Sequence, residues 1–123
     1  MATVNNTRQE GGGRTHRHVW TPLLQGDEGE QATIPGGSDR VAQVYGTFGG
    51  ASVTLEGSLL QSPNAATADH WFPITDLQGN AVTFTSAGGE YCTENVTHVR
   101  PQVTGGDGTT SLTVVVLSRS TMR

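Results

Sequence analysis

The sequence contains no lysine, only one cysteine and few aromatic residues. Its seven basic residues are all arginine, and eleven acidic residues bring the net charge to −4 at pH 7. Sequence-independent binding of nucleic acid requires several phosphates to be neutralised by basic side chains, so we expect no nucleic-acid partner. Because Cys92 has no second cysteine to pair with, an intramolecular disulfide is excluded.

Long apolar segments are missing as well. The longest uninterrupted apolar run is Val114–Leu117, whereas a helix needs about 20 apolar residues to cross a bilayer. We therefore expect no membrane partner. Residues 1–6 carry neither the basic nor the apolar region of a secretory signal, so we expect that the chain is not exported.

The sequence is instead rich in glycine and small polar residues. Glycine accounts for 17 of the 123 residues and hydrophobic residues for only 33%, which is typical of short strands joined by tight turns rather than of helices. So few apolar residues predict a thin core. Burial against a partner would stabilise such a core noticeably, and this first indicates a component of an assembly.

Apolar and polar residues alternate with a period of two, which is the pattern of half-buried strands. The Val114–Leu117 run predicts a strand in the middle of a sandwich, with both faces covered. No segment carries a helical stripe. The fold class predicted is all-β, a two-sheet antiparallel sandwich of jelly-roll or immunoglobulin-like type with an extended N-terminal arm. The predicted strands lie within residues 40–48, 52–58, 70–75, 81–85, 90–103 and 111–118.

The segment 90–103 changes phase partway along. Val99, Pro101 and Val103 share one parity and are expected to face the core, whereas Val96 has the other. A β-bulge near Thr97 and His98 would reconcile the two halves.

The predicted organisation is a flexible arm over residues 1–17, a sandwich over 18–118 and a short tail over 119–123. The arm has no hydrophobic period. Pro22 lacks an N–H, so a strand that contains it is expected to lie at a sheet edge. Trp20 is an interface candidate because it adjoins this arm. The residues predicted to contact a neighbouring subunit are Arg14, Arg17, His18, Val19, Trp20, Leu23 and Leu24.

Reactive groups are few and poorly spaced for chemistry. Cys92 and His98 are six residues apart, about 20 Å along a strand, too far for a thiol and its base. His16 and His18 have no further ligand at a useful offset, and Asp107 suits a Gly-Gly-Asp-Gly turn better than calcium. We expect no catalytic residue, no metal site and no cofactor, so the protein is not predicted to be an enzyme. The acidic cluster Asp27, Glu28 and Glu30 is interpreted as solvated.

Two blocks carry a resemblance to a known group of proteins. Residues 71–88 read WFPITDLQGNAVTFTSAG, and residues 99–119 read VRPQVTGGDGTTSLTVVVLSR. Together with the upstream V-x-L-E-G-S element at Val53–Ser58, they resemble small structural virion proteins of tailed bacteriophages. The match covers about half of the chain. Residues 59–69 form a longer insertion than is usual there, and the arm has no counterpart.

This resemblance implies a capsid decoration (cement) protein, which binds the outer head surface and bridges neighbouring major capsid subunits. The expected partners are the major capsid protein and further copies of the chain, as a dimer or trimer, and the expected location is the virion surface after synthesis in the host cytoplasm. Two alternatives remain open. One is a tail or head–tail connector subunit, and the other is a receptor- or carbohydrate-binding sandwich that uses Trp20 or Trp71.

Overall fold

The alternating segments form two β-sheets that face each other across a shared core. The computed structural model describes residues 2–11, 15–34 and 39–119. Apart from one 3-10 turn at Ala68–His70, the regular elements of these residues are strands. They are β1 (Thr3–Val4), β2 (Asn6–Gly11), β3 (Thr15–Leu23), β4 (Glu28–Gly29), β5 (Ala32–Thr33), β6 (Asp39–Thr47), β7 (Ala51–Ser58), β8 (Phe72–Pro73), β9 (Thr83–Phe84), β10 (Gly88–Tyr91), β11 (His98–Gly105) and β12 (Ser111–Arg119).

The two sheets differ in regularity. Sheet A is built on the long antiparallel pair β7–β11, around which the short strands β1, β4, β5, β8 and β9 are arranged. Only the β1–β4 pair in it is parallel. Sheet B is a regular antiparallel sheet with the order β10-β6-β12-β3-β2, so β12 is its central strand. The predicted all-β sandwich is confirmed.

The core lies between the sheets and takes every second residue of the long strands. Val99, Pro101 and Val103 face inward from β11, as the alternation predicted. Val114 and Val116 face them from β12 and are buried. Because the inward residues of both sheets interdigitate, burial of their side chains supplies most of the hydrophobic stabilisation of the fold.

The phase change in segment 90–103 has a different cause from the predicted β-bulge. The segment is two strands, since β10 pairs with β6 in sheet B and β11 pairs with β7 in sheet A. Residues 92–97 carry the chain from one sheet to the other. The bulge that does occur lies between β12 and β3, opposite Pro22, where the register shifts between Leu112 and Val114.

The N-terminal residues differ from the predicted flexible arm. Strand β2 pairs with β3 along six registered positions, and β1 pairs with β4. The side-chain amide of Asn6 donates a hydrogen bond of 2.8 Å to Glu30, and the Ala2 N–H donates one of 3.1 Å to Asp27. Backbone pairing and these local hydrogen bonds hold this region together with the single apolar contact of Val4 with the core, so no hydrophobic period marked it.

Strand β3 is likewise not an edge strand, because it lies between β12 and β2. Pro22 is tolerated because β2 reaches only as far as Trp20, so the missing N–H of Pro22 faces no β2 residue. The predicted tail begins with Arg119, the last residue of β12, and its remaining residues lie outside the described part of the chain.

Candidate functional site

The outer face of sheet B is apolar, and it is exposed at β6 and half-buried at β3 and β12. Side chains on this face come from the odd-numbered residues of β3, β6 and β12, because their even-numbered neighbours face the core. Val41 is 43% exposed and Tyr45 is 49% exposed, whereas most valines of the chain are buried. We call this surface the B face and define it by Val19, Val41, Tyr45, Val115 and Leu117.

The B face follows from the composition of β12. Its run of four apolar residues places Val114 and Val116 in the core and turns Val115 and Leu117 outward. The prediction that both sides of this strand are covered holds fully for the core side only, since Val115 and Leu117 on the outward side are half-buried. Exposed apolar area that is contiguous in this way is typical of interaction surfaces.

Charge is confined to one end of this surface. Asp39 and Arg119 are cross-strand neighbours at the end of β6 and β12, and Arg17 lies beside Leu117. The next two rows contain Val19, Val115 and Gln43, and then Thr113 and Tyr45. No charged side chain occurs in these two rows of β3, β12 and β6, so a partner could cover them without removing an ion from water.

The outer face of sheet A is constructed differently. Arg100 is only 6% exposed there, and its Nε lies 3.0 Å from a carboxylate oxygen of Glu56. Its guanidinium stacks 4.1 Å from the centre of the Trp71 ring and donates a hydrogen bond of 2.9 Å to the Ala65 carbonyl. Glu28 approaches the same guanidinium at 3.7 Å. The charge on this face is thus satisfied within the chain.

The covering layer over Arg100 is the 59–69 insertion together with Trp71. The Trp71 indole donates a hydrogen bond of 3.1 Å to the Asn64 carbonyl, and the Asn64 N–H donates one of 2.9 Å to Nδ1 of His70. These bonds fold the segment back over sheet A. The insertion, which is longer than is usual in the virion proteins that the sequence resembles, therefore covers the Arg100 region of this outer face.

The residues predicted as a contact surface are separated by the structure. Arg17 and Val19 lie on the outer face of sheet B, and Leu24, 48% exposed, follows β3 at its end. The prediction is corrected for three others, because His18, Trp20 and Leu23 are buried among the chain's own residues. Arg14 lies outside the described residues.

Trp20 is buried for two reasons. It has the inward parity on β3, and its indole N–H donates a hydrogen bond of 2.8 Å to the Glu30 carbonyl. Val41, Tyr45, Val115 and Leu117 were not among the predicted contact residues. The lack of alternation in Val114–Leu117 is a signal for the last two, because it places apolar side chains on both sides of β12.

The acidic residues considered for chemistry are engaged in structural hydrogen bonds. Asp27 accepts bonds from the backbone N–H groups of Ala2 and Leu24, and Glu28 accepts one of 3.0 Å from Gln102. Asp107 closes its turn by accepting bonds from the side chain and backbone of Thr109, which lower the pKa of this exposed carboxyl group. Within residues 2–11, 15–34 and 39–119, no three metal-ligating side chains are grouped to hold an ion.

Cys92 is poorly suited to nucleophilic chemistry. Burial raises the pKa of its thiol to about 12, an effect that the nearby Arg40 guanidinium only partly offsets. A thiol with this pKa is protonated at neutral pH, and the reactive species is the thiolate. Cys92 therefore behaves as a small buried apolar residue.

Comparison with known proteins supports the fold. No protein-family model matches the sequence, and no curated protein matches it either. The SPBc2 prophage-derived protein YomS has a similar structure, with a TM-score of 0.60 and 11% identity over 91% of this chain and 100% of that one. A cupin domain from Bordetella pertussis Tohama I gives a TM-score of 0.53 and 16% identity over 98% of this chain and 96% of that one. At these identities the likeness shows the fold alone.

A third similar structure is PliG of Aeromonas hydrophila, a periplasmic inhibitor of g-type lysozyme. It has a TM-score of 0.49 and 10% identity, covering 95% of each chain.

Among the residues that the structure describes, none belongs to a helix with the length and apolar character needed to cross a membrane.

Proposed function

We propose that this protein is a structural component of a bacteriophage particle, and specifically a decoration (cement) protein on the outer surface of the head. In this role it bridges neighbouring major capsid subunits and stabilises the shell. The observation that carries the proposal is the partly exposed and largely uncharged B face, because an apolar surface of this kind is typical of a component of an assembly. The resemblance of residues 71–88 and 99–119 to phage virion proteins supports the same role.

The proposed mechanism is mechanical. A decoration protein bound across the junction of two capsid subunits adds contacts that must break before those subunits separate. Packaged DNA presses outward on the shell, so each added contact raises the force at which the shell fails. Such a protein needs a stiff scaffold, and a sandwich with two long antiparallel pairs at its centre is suited to this.

Several surfaces remain available for attachment to the shell. The exposed Leu59 and Leu60 follow β7, Leu77 lies in the turn between β8 and β9, and Leu24 follows β3. These residues lie at strand ends, where loops carry binding functions without disturbing the core.

Copy number in purified particles tests the proposal. Quantitative mass spectrometry should find on the order of hundreds of copies per virion, because the protein would repeat with the symmetry of the capsid. About a dozen copies would instead favour the tail or connector alternative, because one closed ring contains few subunits. Absence of the chain from purified particles would overturn any structural role in them.

Binding to isolated shells gives a second measurement. The purified protein should co-sediment with expanded shells at saturating stoichiometry and should raise the temperature at which they release DNA. Unexpanded shells provide the control for nonspecific adsorption. Failure to bind shells that lack their own decoration protein would contradict the cement role.

A further inference from the structure

We propose that the B face binds the B face of a second copy, so that the protein is a homodimer in which two sheets B pack against each other. The inference names a partner for the surface described above and depends on the proposed function only for the role of the dimer in the particle. Sheets packed face to face in this way lie about 10 Å apart and bury their facing side chains.

The size of the surface matches what a stable dimer needs. Sheet B has five strands, which at about 4.8 Å spacing extend roughly 24 Å across the sheet. Strand β12 has nine residues, which at about 3.3 Å each extend roughly 30 Å along it. Strands β3 and β6 also have nine residues, whereas β2 has six and β10 has four, so the sheet covers roughly 600 Å². Two copies would bury roughly 1,200 Å² in total, at the lower end of the range for specific interfaces.

The distribution of charge favours a second copy over a charged partner. Each chain carries a net charge of −4, so two copies can associate only through a surface that does not bring like charges together. The rows of Val115 and Thr113 meet this condition, because their neighbours on β3 and β6 are uncharged. Nucleic acid and anionic membranes would require a basic surface, which these rows do not provide.

The pattern of side chains is also self-complementary. Strand β12 is central, and β6 carries Val41 and Tyr45 two residues on either side of Gln43, the neighbour of Val115. A two-fold axis along the Val115 row, across the strands, places Val41 of one copy opposite Tyr45 of the second copy. It also places Leu117 opposite Thr113, while Val115, which lies on the axis, meets Val115 of the second copy.

A second copy on the B face would bury the outward side chains of β12. In the dimer both faces of its apolar run are buried, as such a run requires. The loops after β3 and β7, and the surface of sheet A, remain outside the interface. A two-fold dimer then presents two identical sets of these loops, which suits a protein that bridges neighbouring subunits.

The experiment measures molecular mass in solution without capsid shells. Sedimentation equilibrium of the full chain at about 100 µM should give a dimer, a concentration at which an interface of this size is well populated. Val115→Arg should weaken dimerisation by at least about 100-fold and give a monomer, because each copy would bury an unpaired guanidinium. Circular dichroism should show that the variant remains a β protein.

Leu77→Arg is the matched control. It introduces the same charge at an apolar residue that is 71% exposed but lies in a turn outside sheet B, so it should stay dimeric. Tyr45→Lys provides a second variant if Val115→Arg fails to fold, because a side chain that is 49% exposed makes few contacts within the monomer. It should also give a monomer.

The outcomes distinguish this inference from the proposed function. A wild-type monomer at about 100 µM that still binds shells overturns the dimer and leaves the decoration role intact. A dimer that is dissociated by Val115→Arg but binds no shell supports the dimer and contradicts the decoration role. A trimer, or a dimer that persists in both B-face variants, also overturns the inference, because a two-fold contact closes at two copies.

Discussion

The two outer faces of this sandwich differ in whether the chain itself covers their side chains. Sheet A carries charged residues on its outside and covers them with the chain's own insertion, through Arg100, Glu56 and Trp71. Sheet B carries apolar residues on its outside, and in the described part of the chain they are exposed or only half-buried. The difference indicates that sheet A is finished within one chain, whereas sheet B is completed by a second molecule.

Side chains on the two outer faces are expected to contribute to two different free energies, that of folding and that of association. On sheet A, the removal of one partner leaves a buried charge without compensation, so its residues are expected to matter for folding. On sheet B, an exposed side chain contributes little to the monomer, so its residues are expected to matter for association. Substitutions on sheet A should therefore lower the stability of the monomer, whereas substitutions on sheet B should weaken association with little effect on monomer stability.

Trp71→Ala should have the largest effect on stability. The ring is only 8% exposed and covers the Arg100 guanidinium, so its removal should lower the free energy of unfolding by about 3 kcal/mol. Chemical denaturation measures this. The matched change on the other face is Tyr45→Ala, which should cost less than about 1 kcal/mol. Both should be made in the Val115→Arg background so that association does not contribute, and equal losses would contradict the contrast between the faces.

Arg100→Met should have the next largest effect. It preserves much of the side-chain volume but leaves Glu28 and Glu56 without their shared cation. Because both carboxylates are partly exposed to water, we expect a loss of about 2 kcal/mol rather than the full cost of a buried unpaired charge. The exposed Arg17 on sheet B offers the control, and Arg17→Met should change the stability by less than about 0.5 kcal/mol. If Arg100→Met left the free energy of unfolding unchanged, the ion-pair network would not be what holds the insertion in place.

The smallest expected effect is a pH dependence on sheet A. Burial lowers the pKa of His98, an effect that a backbone hydrogen bond only partly offsets, so the folded protein favours the neutral imidazole. The stability that depends on this is fully present above the unfolded pKa of about 6.5 and is lost as the pH falls through the lower folded value. Denaturation curves between pH 5 and 8, compared with those of His98→Gln, should show a slope that the variant reduces. Identical slopes would remove His98 as the cause.

The sequence allowed the sandwich and much of its core to be predicted, because apolar and polar residues alternate wherever one face of a strand is buried and the other faces solvent. Val99, Pro101 and Val103 illustrate this. The boundary between β10 and β11 was not predictable in the same way. There the chain changes sheets through a short polar segment, and a change of parity within a strand and a change of sheet produce the same pattern.

The N-terminal strands and the B face escaped prediction for related reasons. Strand β2 is held by backbone pairing, and its polar side chains leave no hydrophobic signal. Trp20 was interpreted as an interface candidate because of the segment before it, although parity along β3 places it in the core. The B face was missed because Val115 and Leu117 looked like core residues, and only the position of β12 within the sheet shows which side lacks a cover.

The central position of β12 also affects how the chain folds during synthesis. Residues 111–119 pair with β3 on one side and β6 on the other, and these two strands do not pair with each other. Sheet B therefore cannot form on the ribosome until these residues have left the exit tunnel. A nascent chain that stalls earlier presents two open strand edges beside apolar side chains, a combination that favours aggregation.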